Sequence, residues 1–83
     1  MDDYLLTARA ITQAQRMAQA LERAGIRASV QRLPTGLSTQ GCAYAVRVGA
    51  KDFPEAVYAA RRSGVGPLKI YGHDSRGYRE VTV

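Results

Sequence analysis

The chain holds one cysteine, Cys42, and one histidine, His73. A lone thiol excludes an intramolecular disulfide. It also excludes a structural zinc site, which usually takes four ligands with several cysteines among them. His73 with the neighbouring Asp74 does not make a metal site, and one histidine supports no confident Ser-His-Asp assembly. No apolar run approaches the roughly 18 residues needed to span a membrane. No glycine-rich run has the form of a phosphate-binding loop. Linkers, low-complexity segments and repeats of roughly 20–50 residues are absent too. Asp2 and Asp3 stand where a secretory signal would be basic, and no apolar targeting core follows them. An unpaired cysteine fits a reducing compartment, so cytoplasm is the expected location.

What is present fits one small folded domain. With 83 residues and no disulfide framework, the chain must rely on a single compact core. A hydrophobic fraction of 46% is that of a globular protein. The net charge of +5 permits nucleic acid or an acidic protein as partner. The arginines at 9, 16, 23, 27, 32, 47, 61, 62, 76 and 79 are scattered, however, and only Arg61 and Arg62 adjoin. That is the pattern of a solvated basic surface.

Tyr4 to Ala8 is a short apolar run, expected as a strand buried on both faces and hence central. A helix follows from Thr12, where Thr12 and Gln15 have capping-box spacing. Ile11, Ala14, Ala18 and Leu21 form its apolar stripe, with Met17 and Ala24 beside it, and Gly25 ends it. Ile26, Ala28 and Val30 alternate with polar residues as a half-buried strand. Leu33 to Gly41 is a loop broken by Pro34 and Gly36. Cys42, Tyr44, Val46 and Val48 then alternate with Ala43, Ala45, Arg47 and Gly49, which predicts a second half-buried strand entered at Cys42.

Asp52, Pro54 and Glu55 mark the start of a second helix, with Phe53, Ala56, Val57 and Ala60 as its buried stripe. Arg61 and Arg62 suit its C-terminus and Gly64 stops it. Leu68 and Ile70 belong to a further strand. Gly72 to Gly77 reads as a turn, and Tyr78 to Val83 as a returning hairpin strand with Val81 and Val83 inward. The order strand, helix, strand, strand, helix, strand predicts a ferredoxin-like βαββαβ sandwich of the α+β class, with residues 72–83 as an added tail hairpin.

The chemistry of interest gathers around Cys42. As a residue in phase with Tyr44, Val46 and Val48, it is read first as a small buried hydrophobe. The other readings are a reactive thiol and an intermolecular bond. The loop argues for the thiol. Gly41 lets a partner approach the backbone, and Ser38, Thr39 and Gln40 offer hydrogen bonds, although such residues also make ordinary solvated turns. Arg32 and Arg47 supply positive charge nearby in sequence, which favours thiolate over thiol.

From Tyr4 to Tyr71 the chain resembles the family of small selenium/sulfur-carrier-like domains. The resemblance runs through Gln13-Ala14 at the start of the first helix and Ala24-Gly25-Ile26 at its end. It continues through Pro34, Gly41-Cys42, Tyr44-Ala45-Val46 and the helix opening from Asp52 to Ala56. Thr35 stands where the family's pattern has an arginine after the proline, and Ala43 where it has a glycine after the cysteine. The resemblance implies carriage of sulfur or selenium as a persulfide or selenopersulfide on Cys42, with Pro34, Ser38, Thr39 and Gly41 as binding residues. It implies donor and acceptor proteins as partners, with no metal and no other cofactor.

Two readings of other classes stand beside it. The segment Gln40 to Val46 resembles the Gly-aromatic strands of sheets that stack RNA bases. Tyr44 is in phase with the inward residues, though, so nucleic acid is not the expected partner. The other reading is a non-enzymatic interaction or regulatory module with a structural Cys42. There the tail hairpin extends the sheet or pairs with a second copy of the chain at its edge, and Tyr71 and Tyr78 line the contact.

Overall fold

The computed structural model describes residues 2–34, 36–37, 43–64 and 66–82. Among these residues the fold is α+β, with five strands and two α-helices: β1 (Asp3–Ala8), α1 (Ile11–Arg23), β2 (Ala28–Arg32), β3 (Tyr44–Gly49), α2 (Phe53–Arg62), β4 (Ile70–Asp74) and β5 (Gly77–Val81). A single turn of 3-10 helix over Ala50–Asp52 leads into α2. The strands form one sheet in the order β2-β3-β1-β4-β5, and every neighbouring pair is antiparallel. Among the described residues no helix is long and apolar enough to cross a membrane.

β1 is central, as its apolar run predicts, and pairs with β3 on one side and β4 on the other. Alternate residues of the sheet face two different cores. On the helix side, Leu6 and Ala8 of β1, Val46 and Val48 of β3 and Ile70 of β4 pack against Ala14, Met17, Ala18 and Leu21 of α1 and against Ala56, Val57 and Ala60 of α2. Fully burying one of these leucines or valines is worth about 1.5–3 kcal/mol, and this layer is the main core. Gly66, in the approach to β4, lies close beneath α1. A Cβ there would stand 3.2 Å from the Met17 sulfur.

α1 ends where Gly25 predicts. Gly25 takes φ +81 and its N–H donates to the Glu22 carbonyl, while the Ile26 N–H reaches back to the Leu21 carbonyl. These are the two bonds of a Schellman cap, and Leu21 and Ile26 meet in the core as that cap favours.

Several expectations are corrected. α1 begins at Ile11 on an extended Ala10, with no side-chain cap. Thr12 is therefore already helical and exposed, and makes no capping box. Ile11, the first residue of α1, is 44% exposed, and Ala24 at the helix end is exposed too. Asp52 does precede α2, but the 3-10 turn holds it at φ −98, ψ 0 instead of an extended conformation, and its side chain makes no cap bond. Leu68 lies outside β4 and is exposed, although its N–H still donates to the Thr7 carbonyl. Gly72, His73 and Asp74 are strand residues, not turn residues. Gly72 brings no side chain to the position opposite Tyr4, whose ring stacks on Phe53 at 3.7 Å. The turn is only Ser75-Arg76, and the Arg76 N–H donates to the Asp74 side chain as in an Asx turn.

β5 is an edge strand, with Val81 packed against the main core and Tyr78, Arg79 and Glu80 exposed. Val83 lies outside the described residues.

Thr7 joins β1 to the start of β4 in a way an aliphatic residue cannot. It is fully buried, its hydroxyl donates to the Lys69 carbonyl at 3.0 Å, and it accepts the Lys69 N–H at 2.8 Å. The Thr7 N–H also donates to the Lys69 carbonyl. Thr7→Val keeps the shape and removes the only acceptor shown for the Lys69 N–H. The expected loss is about 1–3 kcal/mol in urea denaturation, with Thr7→Ser nearer to the parent. Equal stability of parent and Thr7→Val would show that the hydroxyl contributes nothing.

Candidate functional site

The loop that joins β2 to β3 is fixed at its base by backbone bonds. The Leu33 N–H donates to the Ala43 carbonyl at 2.9 Å, continuing the β2–β3 ladder by one residue. The Ala43 N–H donates to the Ala8 carbonyl at 3.2 Å. Within the loop the Leu37 N–H donates to the Pro34 carbonyl, and Gly36 takes φ +97 at the third position of that turn. A positive φ there is what a type II turn requires. Pro34 is thus a turn residue, half-buried. Cys42, Gly41, Ser38 and Thr39 lie outside the described residues, as does Gln40.

The loop does not simply project from the sheet. Leu33 is buried on the face away from the helices, with Leu5, Ala45 and Tyr71, and Leu37 packs against the same group. This second small core is not foreseen in the sequence, where Ala43, Ala45 and Arg47 are read only as the residues that alternate with the buried ones of β3. Tyr71 is a ring on that face, but it is only 7% exposed. Tyr78, also on that face, stacks on His73 at 4.4 Å. Tyr71 is therefore not free to line a partner contact.

Ala43, the neighbour of Cys42 in the chain, is anchored at the end of β1, just before α1 begins. Only Arg9 and Ala10 separate Ala8 from the first helical residue. The first N–H groups of a helix have no partner within it. Here the N-cap is an alanine without a side-chain bond, and the first turn carries no acidic residue. Arg9 is exposed beside it and makes no ion pair among the described residues. This end of the sheet is consequently electropositive. Sequence reading missed Arg9 and the helix end. They are distant from Cys42 in the chain, and only the pairing of β1 with β3 brings Ala8 to Ala43.

Of the two arginines nominated by proximity in sequence, Arg47 is engaged at the other end of β3, while Arg32 stays opposite Tyr44 where β3 begins. Arg47 pairs through Nε with Asp3, and its side chain points to the far end of β3. Arg32 lies over the Tyr44 ring, 5.8 Å from its centroid. Asp3 is buried and also meets His73 Nδ1 at 2.9 Å, so one carboxylate ties β1, β3 and β4 together. His73 is thus engaged in the sheet and not in a surface turn. Among the described residues no group of three or more His, Cys, Asp or Glu side chains is placed to hold a metal ion.

The described residues define an α+β domain of one antiparallel sheet and two α-helices. The chain belongs to the family described as "Putative Se/S carrier protein-like", whose model matches residues 3–72 of the 83. The matched span includes β1 through the first part of β4 and excludes β5. No curated protein matches the chain. No solved structure matches it either.

Leu33 anchors the loop through its side chain and its N–H. Leu33→Ala is expected to cost about 2–4 kcal/mol in urea denaturation. In native-state hydrogen exchange it is also expected to reduce protection of the Ala43 N–H more than that of core amides in α1. Uniform loss of protection across the molecule would mean that Leu33 contributes only to global stability.

Proposed function

We propose that the chain carries sulfur or selenium on the thiolate of Cys42, within a ferredoxin-like βαββαβ sandwich to which β5 adds an edge strand. Membership of the carrier-like family supports this reading. So does the strand order, with β1 between β3 and β4 and both helices packed on one face. The observation that carries it furthest is the bond from the Ala43 N–H to the Ala8 carbonyl. It fixes the residue next to Cys42, about 3.8 Å away between Cα atoms, at the end of β1, from which Arg9 and Ala10 lead into α1. Arg9 and the first N–H groups of α1, which have no partner within the helix, then favour the thiolate. Pro34, Ser38, Thr39 and Gly41 are proposed as the loop residues that surround the carried atom.

The step balances with one cysteine. The Cys42 thiolate attacks the terminal sulfur of a donor persulfide. The donor's S–S bond breaks, the donor leaves as a thiolate, and Cys42 becomes a persulfide. An acceptor thiolate repeats the attack on the terminal sulfur and restores the Cys42 thiolate. Neither transfer changes the total count of electrons, so no oxidant is required. Donor and acceptor are proteins in this reading, and the reducing cytoplasm is the compartment that keeps Cys42 free between transfers.

Iodoacetamide alkylation against pH tests the reading, with native and urea-unfolded protein compared. The native rate is expected to reach half its maximum below pH of about 8.5, the pKa of an unperturbed thiol. Arg9→Gln is expected to move that midpoint upward. Incubation with a small-molecule persulfide should add one sulfur atom to the parent by mass spectrometry and none to Cys42→Ser. A thiol that reacts only after unfolding would make Cys42 a core residue and favour an interaction module.

A further inference from the structure

On the surface of the helix layer, away from the sheet, a groove runs between α1 and α2. Its floor is made by three small residues, Ala20 of α1, Ala24 at the C-cap of that helix and Ala59 of α2. Tyr58 stands at its side and is 65% exposed, the most exposed of the large apolar side chains in the described residues. Arg23, in the last turn of α1, and Arg62, in the last turn of α2, line it as well. Glu55 lines the same groove, yet no ion pair joins it to Arg23 or Arg62. Glu55 lies in the first turn of α2, where its charge complements that helix's own dipole. Neither guanidinium group forms an ion pair among the described residues. Arg62 is also held over the Tyr58 ring, 5.6 Å from its centroid, so ring and charge form one preset unit.

We propose that this groove docks an acidic segment of a partner protein. Two carboxylates would meet Arg23 and Arg62, and an aliphatic side chain would rest on the alanine floor against Tyr58. Exposed tyrosine and arginine are the side chains that most often anchor such contacts. Small residues in the floor let a partner's backbone come close. A nucleic acid fits less well. A phosphate chain gains by contacting a run of cations, whereas this groove offers two cations around an apolar floor. The surface does not depend on Cys42 chemistry, and it adds a partner class to the carrier reading without resting on it.

The probe is a short synthetic peptide of glutamate and leucine, titrated into isotope-labelled full chain and followed by NMR. Amide shifts are expected to concentrate at Ala20, Ala24, Tyr58 and Ala59. Reversing one charge replaces an attraction by a repulsion, so Arg23→Glu and Arg62→Glu should each weaken binding by roughly tenfold. Arg76→Glu, the same charge change in the β4–β5 turn, should leave it unaltered. Should Arg62→Glu fail to fold by circular dichroism, Arg62→Gln serves, with a loss of roughly threefold. Cys42→Ser should bind as the parent does, so failure of the carrier reading and failure of this one give different results. The proposal is overturned by no shifts at all, by shifts that follow every exposed arginine alike, or by undiminished binding in the arginine variants. Tighter binding of a single-stranded oligonucleotide at the same residues overturns it as well, in favour of nucleic acid.

Discussion

The structure depends on β1 being buried on both of its faces and paired along both of its edges. Of its six residues only Tyr4 is not fully in the buried class. Leu6 and Ala8 serve the helix-side core, while Leu5 and Thr7 serve the other face. Asp3 at its start binds groups on β3 and β4 at once. A central strand of this kind fixes register, because a slip of one residue would exchange the two sets. It would drive Thr7 and Asp3 among the aliphatic side chains under the helices and leave their partners Lys69, Arg47 and His73 unmatched.

The same strand explains why the loop before β3 has a defined base. Pairing with β3 brings Ala8 to Ala43, and burial of Leu5 creates an apolar patch on the face that has no helix. A small sheet with one uncovered face must either make that face polar or cover it. Here the distal half is polar, through Asp3, Arg47 and His73, and the other half is covered by Leu33 and Leu37. The chain thus spends part of a loop as a lid on its second core. Residues that look like connecting sequence between β2 and β3 are partly structural.

The elements themselves were legible. The apolar run of β1, the helical stripe of α1, the alternation in β3 and Gly25 as a stop each follow from side-chain periodicity or backbone freedom, which are local properties. The failures share a cause. Thr12 and Asp52 have capping identities, but the backbone entering each helix sets whether a side chain can reach the free N–H groups. Gly72 has turn identity but serves a strand because of what lies across from it. Leu33 reads as the start of a loop, since nothing in its neighbourhood announces Leu5, Ala45 and Tyr71. Local pattern left Cys42 open between a packed residue, a reactive thiol and an intermolecular bond, family resemblance nominated it as a carrying thiol, and it lies outside the described residues. Neither approach found Arg9, whose relation to the cysteine-bearing loop exists only after β1 and β3 pair.

Charge placement follows from this arrangement. A reading by sequence distance assigns Arg47 to Cys42, since five positions separate them. In an extended strand that separation is a disadvantage, because each residue advances about 3.3 Å and carries the side chain toward the far end of the sheet. Arg47 then meets Asp3, and its charge is largely cancelled there. An antiparallel sheet brings the end of one strand to the start of its neighbour. The end of the sheet where β3 begins is therefore reached by the residues that follow β1 as well as by Arg32, opposite Tyr44. Arg9 and the first turn of α1 follow β1, and both are free of acidic neighbours in the chain on the helix side. If Cys42 is held as a thiolate, the pairing of β1 with β3 is what brings Arg9 and the start of α1 toward the residue that follows it.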